Sequence, residues 1–350
     1  MPAPAAHPAA ARPTAGPATT PGGRPRPGGR GGRRRGARTR PRTRWGTRLR
    51  TRLRRADRTL APYLYIAPFF LLFLGFGLFP LGYTLFVSLH DWSLLAGEGN
   101  RWVGLANYCE LLGDSYFWNA LLNTVSIWLL STVPQLLLAL ALAHTLNIRM
   151  RARTTFRMGV LLPNVASVAA VAIIFTQLFG RDFGMVNWAL DLIGIGPVDW
   201  QGGRVSSHVA VSAMVIWRWT GYNALIYLAA MQTVPRERYE AARTDGANGF
   251  QLFRHITVPA LRPVIIFTVI ISTIQGLQLF AEPLLFDPTP GGVTGGSDRQ
   301  FQTLTVYLYE QGFRQFDFGY ASTIAWVMFL VIVLASAVNY LITRRIRSSR

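Results

Sequence analysis

The stretch EAARTDGANGFQLFRHITVP, residues 240–259, is a polar passage between two long apolar segments of the chain. Pro235, just before it, suits the first turn of a helix. Gly246 is able to adopt the positive φ that ends a helix, and Asn248 is a residue type that caps the next one. The sequence therefore predicts a short helix, a glycine turn and a second short helix that ends near Pro259.

The second helix of this passage is predicted to carry an apolar ridge. Phe250, Phe253 and Ile256 lie three residues apart, which places them on one helical face. A solvated connector needs neither these side chains nor a tight turn, whereas an apolar ridge on a polar loop can fill a groove on a partner. We therefore expect residues 235–260 to form a docking element.

The composition indicates a membrane protein. Half of the 350 residues are hydrophobic and only 15% are charged, yet the formal net charge is +20. A soluble domain usually has about a quarter of its residues charged. A low charge density with a large positive net charge is typical of a membrane protein whose charges are confined to a few segments.

The residue types exclude several classes of function. The chain has no lysine, so all 36 basic residues are arginine. A phosphate-binding loop of the GxxxxGK type and a pyridoxal phosphate site both need a lysine. The single Cys109 excludes an intrachain disulfide and a cysteine-cluster metal site. No metal site or catalytic residue is predicted, and the isolated chain is not expected to be an enzyme.

Six stretches are apolar over the roughly 20 residues that a helix needs to cross a bilayer. Backbone groups in lipid must bond within the segment, so these stretches are predicted to be helices and the fold to be all-α. The six predicted spans are Tyr63–Leu89, Ala120–Leu146, Met158–Leu178, Val209–Met231, Val264–Phe286 and Ala321–Ile342.

The distribution of arginine predicts the topology. The segment before the first span carries 17 arginines, the connections after the second and fourth spans carry four and five, and the tail carries four. The other three connections carry one, two and two. Because positive residues are retained on the cytoplasmic side, both termini and the loop 240–259 are predicted to be cytoplasmic.

Residues 1–59 form a separate cytoplasmic arm, and residues 60–350 form the predicted transmembrane domain. The arm is rich in Arg, Pro and Gly and has little to build a core from, so disorder is expected. Such a tract can bind nucleic acid or anionic lipid. Membrane lipid is the favoured partner and nucleic acid is not expected, because a membrane span follows directly.

The run E-A-A-x-x-D-G-A-x-x-x-x-x-F-x-x-I-T-x-P resembles the EAA loop of binding-protein-dependent ABC importer permeases. It is most similar to the sugar branch that includes maltose, glycerol-phosphate and cellobiose permeases. The matching positions are Glu240, Ala241, Ala242, Asp245, Gly246, Ala247, Phe253, Ile256, Thr257 and Pro259. The resemblance covers about residues 60–345, and one departure is FDPTPGGVTGGSDRQ where the family usually has TGGGP.

The resemblance implies a MetI-like permease fold in the bacterial plasma membrane. It implies that the loop docks on a cytoplasmic ABC ATPase present in two copies, so this chain binds no cofactor and ATP is hydrolysed by that partner. The further partners implied are a second homologous permease and an extracellular sugar-binding protein or lipoprotein. The docking residues would be Glu240, Ala241, Ala242, Asp245, Gly246, Phe250, Phe253, Ile256 and Pro259.

Polar residues within the fourth and fifth spans are candidates for the substrate pathway, because such residues are costly in a membrane. They are Arg218, Trp219, Tyr222, Asn223, Gln275, Gln278 and Glu282. Amides can bond sugar hydroxyls and aromatic rings can cover sugar C–H faces. We hypothesise that Asn223 and Gln278 line a midplane sugar site. The alternative is that these residues bond neighbouring helices, with Arg218 paired to Glu282.

The resemblance favours a di- or oligosaccharide such as cellobiose or lactose as substrate. Glycerol-phosphate remains an alternative, since Arg218 would suit its phosphate. An ion-coupled secondary carrier also has midplane polar groups and would need no ATPase. A membrane-bound enzyme, or an adaptor that acts through its arginine-rich arm, is the remaining alternative.

Overall fold

The computed structural model of the protein describes residues 62–93, 101–148, 153–287, 292 and 294–348. The arm at residues 1–59 lies outside the described residues. The chain divides into a unit that ends at Pro68 and a second unit, Phe69–Arg350. In the first unit, residues 62–68 are described and they are helical.

The described residues form twelve helices and one pair of very short strands. The helices are α1 Pro62–Ser88, α2 Ala106–Gly113, α3 Ser115–Leu146, α4 Arg153–Val165, α5 Val168–Leu178, α6 Met185–Asp191, α7 Arg204–Met231, α8 Arg236–Thr244, α9 Gly249–Leu277, α10 Ala281–Phe286, α11 Leu304–Phe313 and α12 Phe318–Ser348. Strands β1 (His90–Asp91) and β2 (Arg101–Trp102) pair antiparallel, with His90 opposite Trp102.

Within the part of the chain that the structure describes, four helices are long and apolar enough to cross a membrane, namely α1, α3, α9 and the Phe318–Leu341 part of α12. The bent pair α4–α5 adds a fifth if it counts as one span. Helix α7 has 28 residues, about 42 Å at the α-helical rise. Its Ser, His, Arg and Asn residues make it less apolar than the other long helices. The all-α membrane fold is confirmed, while the count of six spans is not.

The predicted third span, Met158–Leu178, is not one straight helix. Helix α4 stops at Val165, α5 starts at Val168, and the two meet at 88°. Pro163 removes one backbone donor from the last turn of α4. Ser167 then has φ −57° and ψ 132°, which is outside the helical region. The prediction of an unbroken span was wrong because this break falls inside an apolar run.

The predicted fifth span, Val264–Phe286, also contains a break. Helix α9 ends at Leu277, and three residues separate it from the start of α10 at Ala281. Phe280 between them has φ −127° and ψ −59°. The Leu279 carbonyl accepts a hydrogen bond from Thr303 Oγ1 at 2.8 Å. The residue four positions further on is Pro283, which has no N–H to donate, so even a continuous helix would leave this carbonyl without its usual partner and the bond from Thr303 supplies one.

Helices α3 and α7 pack against each other along much of their lengths and form the centre of the second unit. A Cβ placed on Gly221 of α7 would lie 1.8 Å from the carbonyl oxygen of Val160 in α4, so only glycine allows these helices to approach this closely. Tyr227 of α7 shares a 2.6 Å hydrogen bond with Thr268 of α9. These contacts hold α4 and α9 against α7.

Candidate functional site: the loop 235–260 and a cavity beside a helix break

The glycine turn in the predicted docking loop is confirmed. Gly246 has φ +83°, directly after α8 and its C-cap. The Gly246 N–H donates to the Arg243 carbonyl at 3.0 Å, and the Ala247 N–H donates to the Ala242 carbonyl at 2.9 Å. These two bonds form a Schellman motif, which requires the left-handed conformation that glycine adopts without strain.

Asn248 caps the helix that follows, as the sequence predicts. Its Oδ1 accepts from the Gln251 N–H at 2.9 Å, and its own N–H donates to Gln251 Oε1 at 2.8 Å, which makes a complete capping box. The helix does not end near Pro259, so that prediction was wrong. A π-helical turn at Phe253–Thr257 precedes Pro259, and the helix continues as α9 to Leu277.

The predicted apolar ridge is only partly exposed. Phe250 is 69% exposed, whereas Phe253 and Ile256 are half-buried. The Phe253 ring lies edge-on to the ring of His144 in α3, with 4.8 Å between centroids. The helix therefore turns Phe253 toward α3 and leaves Phe250 free. Periodicity alone could not separate the two, because both positions lie on the same predicted face.

The rest of the loop presents an open surface. No residue of α8 is buried, and Glu240, Ala241, Asp245 and Gly246 are all exposed. Tyr239 shares a 3.0 Å hydrogen bond with Thr257, which ties α8 to α9. A surface concavity of about 320 Å³ is lined by Ala242, Asp245, Gly246, Ala247, Gln251, Leu252, His255 and Ile256. The docking role of these residues stays a prediction, but the turn and the cap of the loop are hydrogen-bonded and its surface is accessible.

A cavity of about 290 Å³ lies beside the break between α9 and α10. Thr132 and Trp219 line it from near the midpoints of α3 and α7, which places it at mid-membrane depth if these helices cross the bilayer. The complete lining is Thr132, Gln135, Val215, Trp219, Ser272, Gln275, Gly276, Gln278, Leu279, Phe280, Ala281 and Glu282.

The structure brings four of the seven predicted pathway residues to this cavity, namely Trp219, Gln275, Gln278 and Glu282. The other three are not among its lining residues. Asn223 is 4% exposed and donates to the Trp219 carbonyl within α7 at 3.3 Å. The ring of Tyr222 stands edge-on to that of Trp219. Asn223 and Gln278 therefore do not share the cavity lining, and their substrate contacts stay predictions.

Three further polar residues in the lining were missed from the sequence. They are Thr132 and Gln135 of α3 and Ser272 of α9. Thr132 and Gln135 are three residues apart, as are Ser272 and Gln275, so each pair lies on one helical face. This spacing of polar residues inside an apolar run was a signal that could have identified them.

Arg218 and Glu282 form an ion pair at the edge of the cavity. Arg218 Nη1 lies 2.5 Å from Glu282 Oε1, and the two side chains are only 13% and 7% exposed. The buried Arg218 Nε has no hydrogen-bond partner among the described residues. Of the two interpretations open from the sequence, the structure shows the ion pair. The charge of Arg218 is therefore balanced within the protein.

A second polar cluster holds the loop before α11, on the predicted outer side. Arg299 donates to both carboxylate oxygens of Glu310, at 2.6 and 2.7 Å. Its backbone has φ +56°, and its carbonyl accepts from Asn119 and Asn123 of α3 at 2.8 and 2.9 Å. The bidentate pair and the two amide bonds fix an otherwise unfavourable backbone conformation.

Asp114, also on the predicted outer side, hydrogen-bonds residues of three helices, α3, α11 and α12. One carboxylate oxygen caps α3 by accepting from the Tyr116 N–H at 2.8 Å. The other accepts from the hydroxyls of Tyr307 and Tyr320. Burial, together with the bond to Asp114, raises the pKa of Tyr307, so Tyr307 is a neutral donor at physiological pH.

Residues 123–348 match the family described as binding-protein-dependent transport system inner membrane component. The chain belongs to this family. It is therefore an inner-membrane transport permease of a system that depends on a binding protein, and it is not an enzyme. This confirms the resemblance seen in the EAA loop.

Two permeases similar to this chain are named for oligosaccharide transport. The lactose transport system permease protein LacF of Rhizobium radiobacter is 37% identical over 288 residues, 81% of this chain and 93% of that protein. The arabinooligosaccharides transport system permease protein AraP of Bacillus subtilis is 34% identical over 287 residues, 81% of this chain and 88% of that protein.

The fold is shared with a permease of known structure. The crystal structure of a bacterial alginate ABC transporter in complex with alginate pentasaccharide-bound periplasmic protein contains a chain that matches with a TM-score of 0.71. The match has 22% identity and covers 84% of this chain and 97% of that one. It supports the ABC permease fold.

Glu282→Gln is expected to destabilise the protein, because Arg218 would keep a buried charge without its carboxylate. Removing one member of a buried pair costs about 3–5 kcal/mol. The double variant Arg218→Leu/Glu282→Leu, which removes both charges, is expected to recover much of the loss. Thermal unfolding in detergent measures both effects.

The matched control is Asp91→Asn. Asp91 and Arg101 form an exposed pair at 3.7 Å, so its loss is expected to leave the unfolding temperature nearly unchanged. A wild-type unfolding temperature for Glu282→Gln would show that the Arg218–Glu282 contact is not important for stability.

Proposed function

We propose that the chain is one permease subunit of an ATP-driven importer for a neutral di- or oligosaccharide. A second homologous permease would complete the pathway, an extracellular sugar-binding protein would deliver substrate, and two copies of a cytoplasmic ABC ATPase would supply energy. The observation that carries the proposal is the cavity at the α9–α10 break, whose lining includes amides, hydroxyls, one carboxylate and two aromatic rings.

The lining suits a sugar. Gln275, Gln278 and Ser272 supply both donors and acceptors for hydroxyl groups. Trp219 supplies a flat apolar surface for a sugar C–H face. Transport proteins commonly place substrate sites at mid-membrane depth where a helix is interrupted. The lactose and arabinooligosaccharide names of two relatives point to the same substrate class.

The Arg218–Glu282 pair favours a neutral substrate. An arginine that was to hold glycerol-phosphate would need its guanidinium free, because phosphate is recognised by charge-assisted bonds. Here the guanidinium is engaged by a carboxylate at 2.5 Å, and Glu282 itself lines the cavity. A phosphate would face that carboxylate, whereas sugar hydroxyls can donate to it.

The energy source is assigned to a separate ATPase that docks on the loop around Gly246. The chain lacks lysine and so has no phosphate-binding loop of the usual type. Helix α9 is 29 residues long, and it starts in the docking loop and ends at the cavity. A displacement of the loop would thus reach the substrate region through one helix. Nucleotide-driven closure could then stabilise one permease conformation over another.

The proposal is tested by uptake of a labelled panel in a strain that lacks the chain, with and without its restoration. The panel contains lactose, cellobiose, an arabinooligosaccharide and glycerol-phosphate. We expect selective loss and recovery of one neutral di- or oligosaccharide, with uptake that stops when ATP is depleted. Loss of glycerol-phosphate uptake alone would contradict the neutral-sugar assignment. Uptake that persists without the ATPase would identify an ion-coupled carrier.

Gly246→Pro is expected to lower sugar uptake at least roughly tenfold while the protein still inserts in the membrane. Proline fixes φ near −65° and has no N–H, so it fits neither the φ of +83° nor the bond to Arg243. Initial uptake rate, normalised to the amount of protein in the membrane, measures the effect.

Gly249→Ala is the control for this variant. Gly249 has a negative φ, and a Cβ added to it would meet no atom within 4 Å. Its uptake is expected to equal that of the wild type. Normal uptake in Gly246→Pro as well would show that the shape of this turn is not needed for coupling.

A further inference from the structure

A second cavity, of about 280 Å³, lies between α4 and α7. Its lining is Thr154, Arg157, Met158, Leu161, Leu225, Leu228, Ala229 and Gln232. Thr154 is in the first turn of α4, and Gln232 is the C-cap of α7. Both helix ends adjoin segments that the arginine distribution places in the cytoplasm. The cavity therefore lies at the level of the cytoplasmic membrane surface.

The polar and apolar parts of this lining are separated. On α4, Thr154 and Arg157 precede the apolar Met158 and Leu161. On α7 the order is reversed, because three apolar residues precede Gln232. The polar residues of both helices thus lie toward the cytoplasm and the apolar residues toward the membrane interior. A ligand that matches this lining has a polar head and a hydrocarbon tail.

The positive charge of Arg157 indicates that the head group is anionic. Its Nε and Nη2 are buried and have no hydrogen-bond partner among the described residues. Buried guanidinium groups are normally paired, because an unpaired one keeps the cost of desolvation. The planar fork of arginine donors matches the oxygen atoms of a phosphate. Basic pockets between membrane helices on the cytoplasmic side are a known type of lipid headgroup site.

We propose that this cavity binds an anionic phospholipid of the cytoplasmic leaflet. Arg157 donates to the lipid phosphate, Thr154 and Gln232 bond the rest of the head group, and the apolar residues contact an acyl chain. Free phosphate would leave the apolar residues Met158, Leu161 and Leu225 without a role. The site is about 280 Å³ and separate from the cavity at the α9–α10 break, so this inference does not depend on the transported substrate.

The test is native mass spectrometry of the full-length protein, with its co-purifying subunits, in mild detergent. Phosphatidylglycerol, phosphatidylcholine and inorganic phosphate are each titrated. We expect phosphatidylglycerol to bind more tightly than phosphatidylcholine. Arg157→Gln is expected to weaken phosphatidylglycerol binding roughly tenfold or more, as the loss of charge-assisted bonds predicts. Arg157→Lys, which keeps the charge but not the fork, is expected to be intermediate.

Arg236→Gln is the matched control, because Arg236 is an exposed arginine on the same predicted side and does not line the cavity. Its lipid binding is expected to equal that of the wild type. If Arg157→Gln does not accumulate, Ala229→Phe provides the test. It fills the cavity from an exposed position, keeps the arginine, and is expected to weaken lipid binding to a similar degree.

Three results would overturn the proposal. The first is unchanged phosphatidylglycerol binding in Arg157→Gln or in Ala229→Phe. The second is full displacement of the lipid by inorganic phosphate, which would identify a site for the free anion. The third is loss of a co-purifying subunit in Arg157→Gln with lipid binding intact, which would assign the arginine to a protein interface.

Discussion

A backbone or charged group inside a bilayer must find its partner within the protein, because hydrocarbon offers none. At the break between α9 and α10, the protein must therefore supply partners for the backbone and charged groups that lie there. Thr303 Oγ1 bonds the Leu279 carbonyl at 2.8 Å, and Arg218 pairs with Glu282 just beyond the break. Irregular backbone at membrane depth is tolerated where it is buried or lines a cavity, and this break lines one. The cavity follows from the interruption of the helix.

The same helix connects the two candidate functional regions. It begins at a capping box beside the Schellman turn of Gly246 and ends at the cavity. Apart from the π-helical turn at Phe253–Thr257, it is α-helical throughout, which gives it the stiffness to transmit a displacement. In the proposed mechanism, the ATPase moves the loop and the far end of α9 changes shape around the sugar.

Local signals in the sequence predicted local structure well. Gly246 can adopt the positive φ that ends a helix, and the Asn248 side chain can cap the next helix. Each residue has the predicted role in the structure. The breaks at Ser167 and after Leu277 fall inside apolar runs, where hydropathy measures composition and not continuity. At the second break, the Leu279 carbonyl accepts its hydrogen bond from Thr303, which lies 24 residues further along the chain. Likewise, the inward position of Phe253 depends on His144, and no spacing rule could pair these two.

The most direct test of whether the cavity at the α9–α10 break binds the sugar is substrate protection of a cysteine placed in it. The assembled transporter carries Gln278→Cys on a Cys109→Ala background, which removes the exposed native thiol. A small thiol reagent is expected to label this cysteine, and the transported sugar is expected to slow the labelling several-fold. Asn223→Cys, at a buried position outside the cavity lining, is predicted to show no such protection. Labelling of Gln278→Cys at the same rate with and without saturating sugar would show that the cavity at the α9–α10 break is not the sugar site.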